Sequence, residues 1–369
     1  GRSLPAWVTG LAFISANLGA VEVMGMSATG AEYGFPTMHY FWVGAVPAML
    51  FLGIVMMPFY YGSEVRSVPE FMRMRFGTGA HLVNALSFAA AQLLIAGVNL
   101  SLLALIMNRL LGWPFWAGLV VAALFVLFYI SVGGLTAAIY NEVLQFFVII
   151  AALLPLTIVG LHRVGGWSGL TEKVANDGML GAEQLTTWPG TQLSGFQHPV
   201  LSVIGIVFGL GFVLSFGYWT TNFVEVQRAM ASKDMTAARM TPIIGAFPKM
   251  LVPFIVIVPG MIAAILVTDL TEFKQLMYSG DTAGAAATGV SYNDAILLLM
   301  RDVLPNGLLG VAIAGLLAAL AGALGAPRPG GGLGGAQARF AVAKVKGTVL
   351  LEVGIDADIQ QTALPAHGQ

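Results

Sequence analysis

Eight stretches of this chain are apolar over a length near the roughly 20 residues needed to cross a bilayer. They fall at 7–30, 36–60, 82–108, 113–132, 137–161, 199–223, 241–267 and 306–325. In hydrocarbon there is no water to satisfy backbone N–H and C=O groups, so each run is expected to form a helix that pairs them internally. Charged residues make up 9% of the chain, against about 25% in soluble domains. The sequence therefore reads as an all-α polytopic membrane protein with about eight transmembrane helices seated in the lipid bilayer. A net charge of −1 gives no electrostatic footprint for nucleic acid. Cysteine is absent, which removes disulfides and thiolate metal sites. The five His residues (39, 81, 162, 198 and 367) have no ligand spacing, and HExxH, GxSxG and GxxxxGK[ST] motifs are missing. The reading is a non-enzyme without an ATP-driven engine and without a cofactor.

Lys and Arg in short loops set orientation. The loop at 61–79 carries Arg66, Arg73 and Arg75, and the loop at 227–240 carries Arg228, Lys233 and Arg239. Both are assigned to the cytoplasm, as is Arg2, in a multi-pass protein of the cell (plasma) membrane. The longer loops at 162–198 and 268–305, mixed in charge, read as external caps. Residues 1–325 form the transmembrane core. Residues 326–369 carry no spanning run, begin Gly/Pro-rich and show short β-like runs at Gly347 to Val353; they read as a tail foreign to the core, flexible or out of frame. The opening Gly-Arg-Ser-Leu-Pro, without an initiator Met and without a cleavable signal peptide, reads as the start of a fragment.

The most telling run is WVTGLAFISANLGAVEVMGMSATGAEYG, residues 7 to 34. A carboxylate mid-span costs roughly 2.5–3.5 kcal/mol on insertion scales, so Glu22 is expected to face a bundle interior or a watery cavity. Ser15, Leu18 and Glu22 share a helix face. The chain between them can unwind around Gly19, freeing carbonyls that need a partner such as a cation. On the fifth helix Glu142 and Gln145 make a short polar stripe with Asn141, read either as a solvated helix start or as an inner gate. On the sixth, Ser215, Tyr218, Asn222 and Glu225 form one face, read as a permeation face or, for Tyr218-Trp219, as an interfacial aromatic belt. On the seventh, Lys249 sits between Pro248 and Pro253, and either snorkels to the interface or hydrogen-bonds a solute. The prolines suggest a bent helix with freed carbonyls.

GRSLPAW before the first helix, SANLGAVEVMGMSATG within it, VPEFMRMRF at 68–76, GGLTAAIYNEVLQ at 133–145 and VQRAMASKD at 226–234 occur in one order and spacing. In these blocks the chain resembles the sodium/solute symporter family, most of all its bacterial sodium/galactose-type members. The resemblance implies two inverted five-helix repeats whose first and sixth core helices are broken at mid-membrane, here a partial form lacking core helices nine and ten. It implies sodium as coupling ion, held by backbone carbonyls at Ser15 and Leu18 and by core helix eight at Ala319, Gly322 and Ala323. It implies solute contacts at Glu22, Tyr218 and Lys249. Glu142 matches an acidic residue linked to cation coupling, and Gln145 and Asn222 are grouped with it as coupling or gate residues. Sugar carriers of the family place glutamine, glutamate and asparagine where Glu22, Phe41 and Ser215 stand, and hydroxyl ligands where Gly322 and Ala323 stand.

The leading expectation is a sodium-coupled secondary active symporter of a small polar organic solute, a sugar among the candidates. Two alternatives stand beside it. One is a non-transporting membrane protein, such as a sensor or an inactive truncated product. The other is a proton-coupled amino-acid or organic-acid carrier with Glu22 as the proton site. Solute, stoichiometry and oligomeric state are not legible.

Overall fold

The computed structural model describes residues 3–19, 21–65, 67–132, 135–179, 181–188 and 205–323, without the side chains at 125–132, 135–138, 223 and 318–323. The tail at 326–369, Gly133-Gly134 and residues 189–204 lie outside the described residues.

All eight apolar runs contain helix. Among the described residues, four helices are long and apolar enough to span by themselves: α3 (Phe35–Gly62), α5 (Thr78–Leu111), α7 (Leu135–Val164, its apolar stretch counted from Ile139) and α11 (Met235–Leu266). Two further spans are broken pairs. The first joins α1 (Ala6–Asn17) to a π-turn at Val21–Gly25 and α2 (Met26–Tyr33), with a 62° bend across the break. The second joins α9 (Gly205–Thr221) to α10 (Phe223–Met230) across a 54° bend. The remaining runs appear as α6 (Phe115–Val132) and α14 (Asn306–Ala323). The segments expected to be connecting loops are themselves partly helical: α4 (Val68–Phe76), α8 (Gly166–Ala175), α12 (Thr268–Ser279) and α13 (Ala295–Val303).

The centre of the molecule is α11. Seventy-two per cent of its apolar window is buried, whereas only 22% of that of α5 is. Four prolines, Pro242, Pro248, Pro253 and Pro259, lie inside this helix, which nonetheless runs unbroken for 32 residues.

Both halves of the first broken span pack along α11, and glycine makes the approach possible. A Cβ on Gly30 would lie 2.6 Å from the Ile257 carbonyl oxygen, and one on Gly260 would overlap the Ser27 carbonyl. Small residues let backbones touch where no hydrophobic force separates helix from lipid. At the other end, Thr9, Ser232 and Thr241 join their hydroxyls at 2.6–3.1 Å. Lys233 N–H donates to the Leu4 carbonyl at 2.9 Å. These contacts tie the start of α1 to the segment after α10. Outward faces are apolar, with Phe208, Phe212, Val213 and Leu251 exposed as lipid-facing residues should be.

Candidate functional site

The first break is built from the backbone. Leu18, at φ −78° and ψ 59°, ends α1 in an inverse γ-turn geometry. Its N–H reaches both the Ile14 and Ser15 carbonyls, at 3.1 and 3.0 Å, and Gly19 N–H returns to the Asn17 carbonyl at 2.9 Å. The chain unwinds where Gly19 suggests, and no side-chain cap closes the break among the described residues. Ser15 Oγ is buried there without a hydrogen-bond partner among the described residues.

Lys249 does not snorkel. It is 2% exposed, and its ammonium donates to the Glu22 carboxylate and to Asn17 Oδ1. The same ammonium lies 4.7 Å from the centre of the Phe41 ring and 5.5 Å from that of Trp219, a cation–π arrangement. Asn17 passes the chain of contacts on, its Nδ2 donating to the Tyr218 hydroxyl at 3.3 Å. Glu22, Tyr218 and Lys249 thus form one network with Asn17 at its centre. The sequence reading had placed Asn17 in the unwinding segment and assigned it no contact.

The second break is built from side chains. Asn222 caps α10, its Oδ1 accepting from Val224 N–H at 3.0 Å. The face expected to run straight from Ser215 to Glu225 is therefore bent at Asn222. Ser215 donates its hydroxyl to the Gly44 carbonyl, and Trp219 Nε1 donates to the same oxygen at 3.2 Å. Beyond the bend, Arg228 is not in a solvated loop as its place in the 227–240 segment suggested. It is buried and bidentate on Glu142, with Nε 2.8 Å from Oε2 and Nη2 on Oε1, while Nη1 donates to the Val224 carbonyl. Glu142 is 1% exposed and Gln145 also buried, so the solvated-start reading of that stripe is corrected. An ion pair at this depth holds each charge because the other compensates it.

Between the two breaks lies a cavity of about 420 Å³, within the range of small-molecule sites. Polar side chains from both broken spans line it: Asn17 and Glu22 from the first, Ser215, Tyr218, Asn222 and Glu225 from the second. Lys249 of α11 and Gln92 and Asn99 of α5 complete the set. Gln92 and Asn99 were missed; their spacing of seven within an apolar helix is the signal that finds them. Ser15 and Leu18 lie next to the wall formed by Ala16 and Asn17, but they are not among its lining residues. Glu142 and Gln145 are also set back from it, with Arg228 linking Glu142 to α10. Ala319, Gly322 and Ala323 fall on α14, which packs against α1; their side chains are outside the described residues.

A helical multi-pass membrane protein with a cavity, lined in part by polar side chains, between two broken spans has the architecture of a secondary transporter. The chain belongs to the sodium:solute symporter family, whose profile matches residues 1–326. It is similar to the sodium/glucose cotransporter of Vibrio parahaemolyticus, 28% identical over 88% of this chain and 59% of the relative. It is also similar to sodium/glucose cotransporter 1 of Ovis aries, 29% identical over 88% of this chain and 50% of the relative. In fold it resembles a Na+-coupled sialic acid symporter solved in a substrate-bound outward-open state. That likeness has a TM-score of 0.69 and 19% identity, over 88% of this chain and 63% of the other. The chain spans about half the length of the curated relatives it matches.

Proposed function

We propose that this chain is the core of a sodium-coupled secondary active symporter for a small, polar, sugar-like solute. The observation that carries the reading is the cavity bounded by both broken spans and lined by polar side chains of each, with, beside it, a break that has no side-chain cap and a Ser15 hydroxyl that has no partner among the described residues. Sodium binds at the Ser15 and Leu18 carbonyls together with α14 at Ala319, Gly322 and Ala323. The solute takes contacts from Glu22, Tyr218 and Lys249. Glu142, Gln145 and Asn222 couple or gate the inner side. Sodium helps the solute only by favouring the same conformation, so coupling is linkage and must be reciprocal. Residues 1–325 make the transport unit, and the tail from 326 takes no part. The protein resides in the plasma membrane, with the 61–79 and 227–240 segments facing the cytoplasm, as the Lys and Arg bias directs.

Proteoliposomes holding the full chain test this. Radiolabelled sodium should enter faster when a mixture of hexoses and hexosamines is supplied outside, and the labelled sugars should accumulate only under an inward sodium gradient. Sodium entry that ignores the sugars, together with sugar entry that ignores sodium, would sink the reading.

A further inference from the structure

The cavity's chemistry is lopsided. Its buried donors are engaged within the protein: the Lys249 ammonium on Glu22 and Asn17, the Asn17 amide on Tyr218, and the Ser215 hydroxyl and Trp219 indole on Gly44. Two lining residues instead hold a buried polar atom with no partner among the described residues, Asn99 Oδ1 and Glu225 Oε2, and both atoms are acceptors. The Asn99 assignment is fixed by its other end, since Nδ2 donates to the Ile95 carbonyl at 3.0 Å. Glu225 is 2% exposed. Arg228 and Lys249 are bound to Glu142 and Glu22. Of the ionisable acid and base side chains that line the cavity, Glu22 and Lys249 pair with each other, and the Glu225 carboxyl has no ion-pair partner among the described residues. A buried carboxyl without a partner gains more from a ligand cation that compensates its charge than from a neutral group. The half-exposed Gln92 amide can offer a donor to the rest of a solute, but not a charge.

We infer that Glu225 is the counter-site for an ammonium group, and that the solute is a small amine-bearing molecule. A plain hexose would leave the carboxylate uncompensated, and an anion would be repelled by it. This deepens the transport reading and rests on its cavity, not on its coupling ion.

The test uses matched probes that differ in one group: glucosamine, glucose and glucuronate, at about pH 6.5, where the amine is protonated. Binding to the full chain in lipid nanodiscs is measured with sodium and again with potassium. Glucosamine should bind at least about tenfold more tightly than glucose, and glucuronate most weakly. Glu225→Gln should reduce the glucosamine-to-glucose ratio to about one, while Glu225→Asp, which keeps the charge and guards against misfolding, should retain part of it. Equal affinity for glucose and glucosamine, a preference that survives Glu225→Gln, or no binding by any probe would overturn the inference. An amine preference that is the same in sodium and potassium would uphold the site and overturn the sodium coupling instead.

Discussion

The two breaks in the spanning helices solve one problem in opposite ways. At the first, between α1 and α2, no side chain caps the interrupted backbone among the described residues; support comes through glycine contacts with α11 and the Lys249 ammonium on Glu22 and Asn17. At the second, Asn222 caps α10 from within the break, and Arg228 anchors it to Glu142 of α7. An uncapped break leaves backbone and hydroxyl oxygens for a ligand, whereas a capped one is internally satisfied and presents side chains. The asymmetry fits a cation at the first break and solute recognition shared with the second.

Gly260→Leu strikes the external support hardest. The new side chain has to enter the Ser27 backbone, so we expect little folded protein in detergent-solubilised membranes, measured as the monodisperse fraction on size exclusion. Normal yield and stability would mean that α2 is not held by α11. Glu142→Gln removes the anchor of the second break and leaves Arg228 buried without its counter-charge. Stability should fall by about 3–5 kcal/mol, read as reduced resistance to denaturant; a loss under 1 kcal/mol would show that water reaches Arg228. A double-mutant cycle on Glu22→Gln and Lys249→Met should return a coupling of about 1–3 kcal/mol, and additivity would mean the first break does not depend on that pair. Asn222→Ala should cost about 1 kcal/mol, the worth of an N-cap; no change would make the second break as uncapped as the first.

The smallest effect lies outside the spans. Lys274 of α12 is buried against Gln184 at 2.7 Å and Asp177 at 3.6 Å, and burial, outweighing Asp177, holds its pKa below the ordinary lysine value. Between the lowered folded value and the ordinary one, the unfolded chain binds more protons than the folded chain. Stability therefore rises with pH across that window. Lys274→Met should flatten the rise in alkaline melting curves; an unchanged slope would assign it elsewhere.

The first break was legible because three signals coincide within a few residues: a glycine, an asparagine and a carboxylate inside an apolar run. The second break was expected only from the family resemblance; the residues by themselves were read as one continuous face, although Asn222-Phe-Val-Glu225 has the form of a helix N-cap followed three residues later by an acid. The ion pairs were harder. Glu22 and Lys249 were each singled out as solute contacts, and Arg228 was assigned to a loop. That Glu22 meets Lys249, and Glu142 meets Arg228, depends on the crossing of helices far apart in the chain, which no local pattern encodes. The rule that an intramembrane charge needs a partner predicts that such pairs exist without saying which.

The central claim is that sodium at the first break alters the state of the cavity. Because the chain has no cysteine, a single Leu214→Cys substitution on the α9 wall of the cavity reports that state without background. The rate of maleimide labelling would be compared in sodium and in potassium at equal ionic strength. The account predicts a sodium-specific change of about fivefold or more, the size expected of a coupling free energy of 1–3 kcal/mol. Equal rates in the two salts would contradict it.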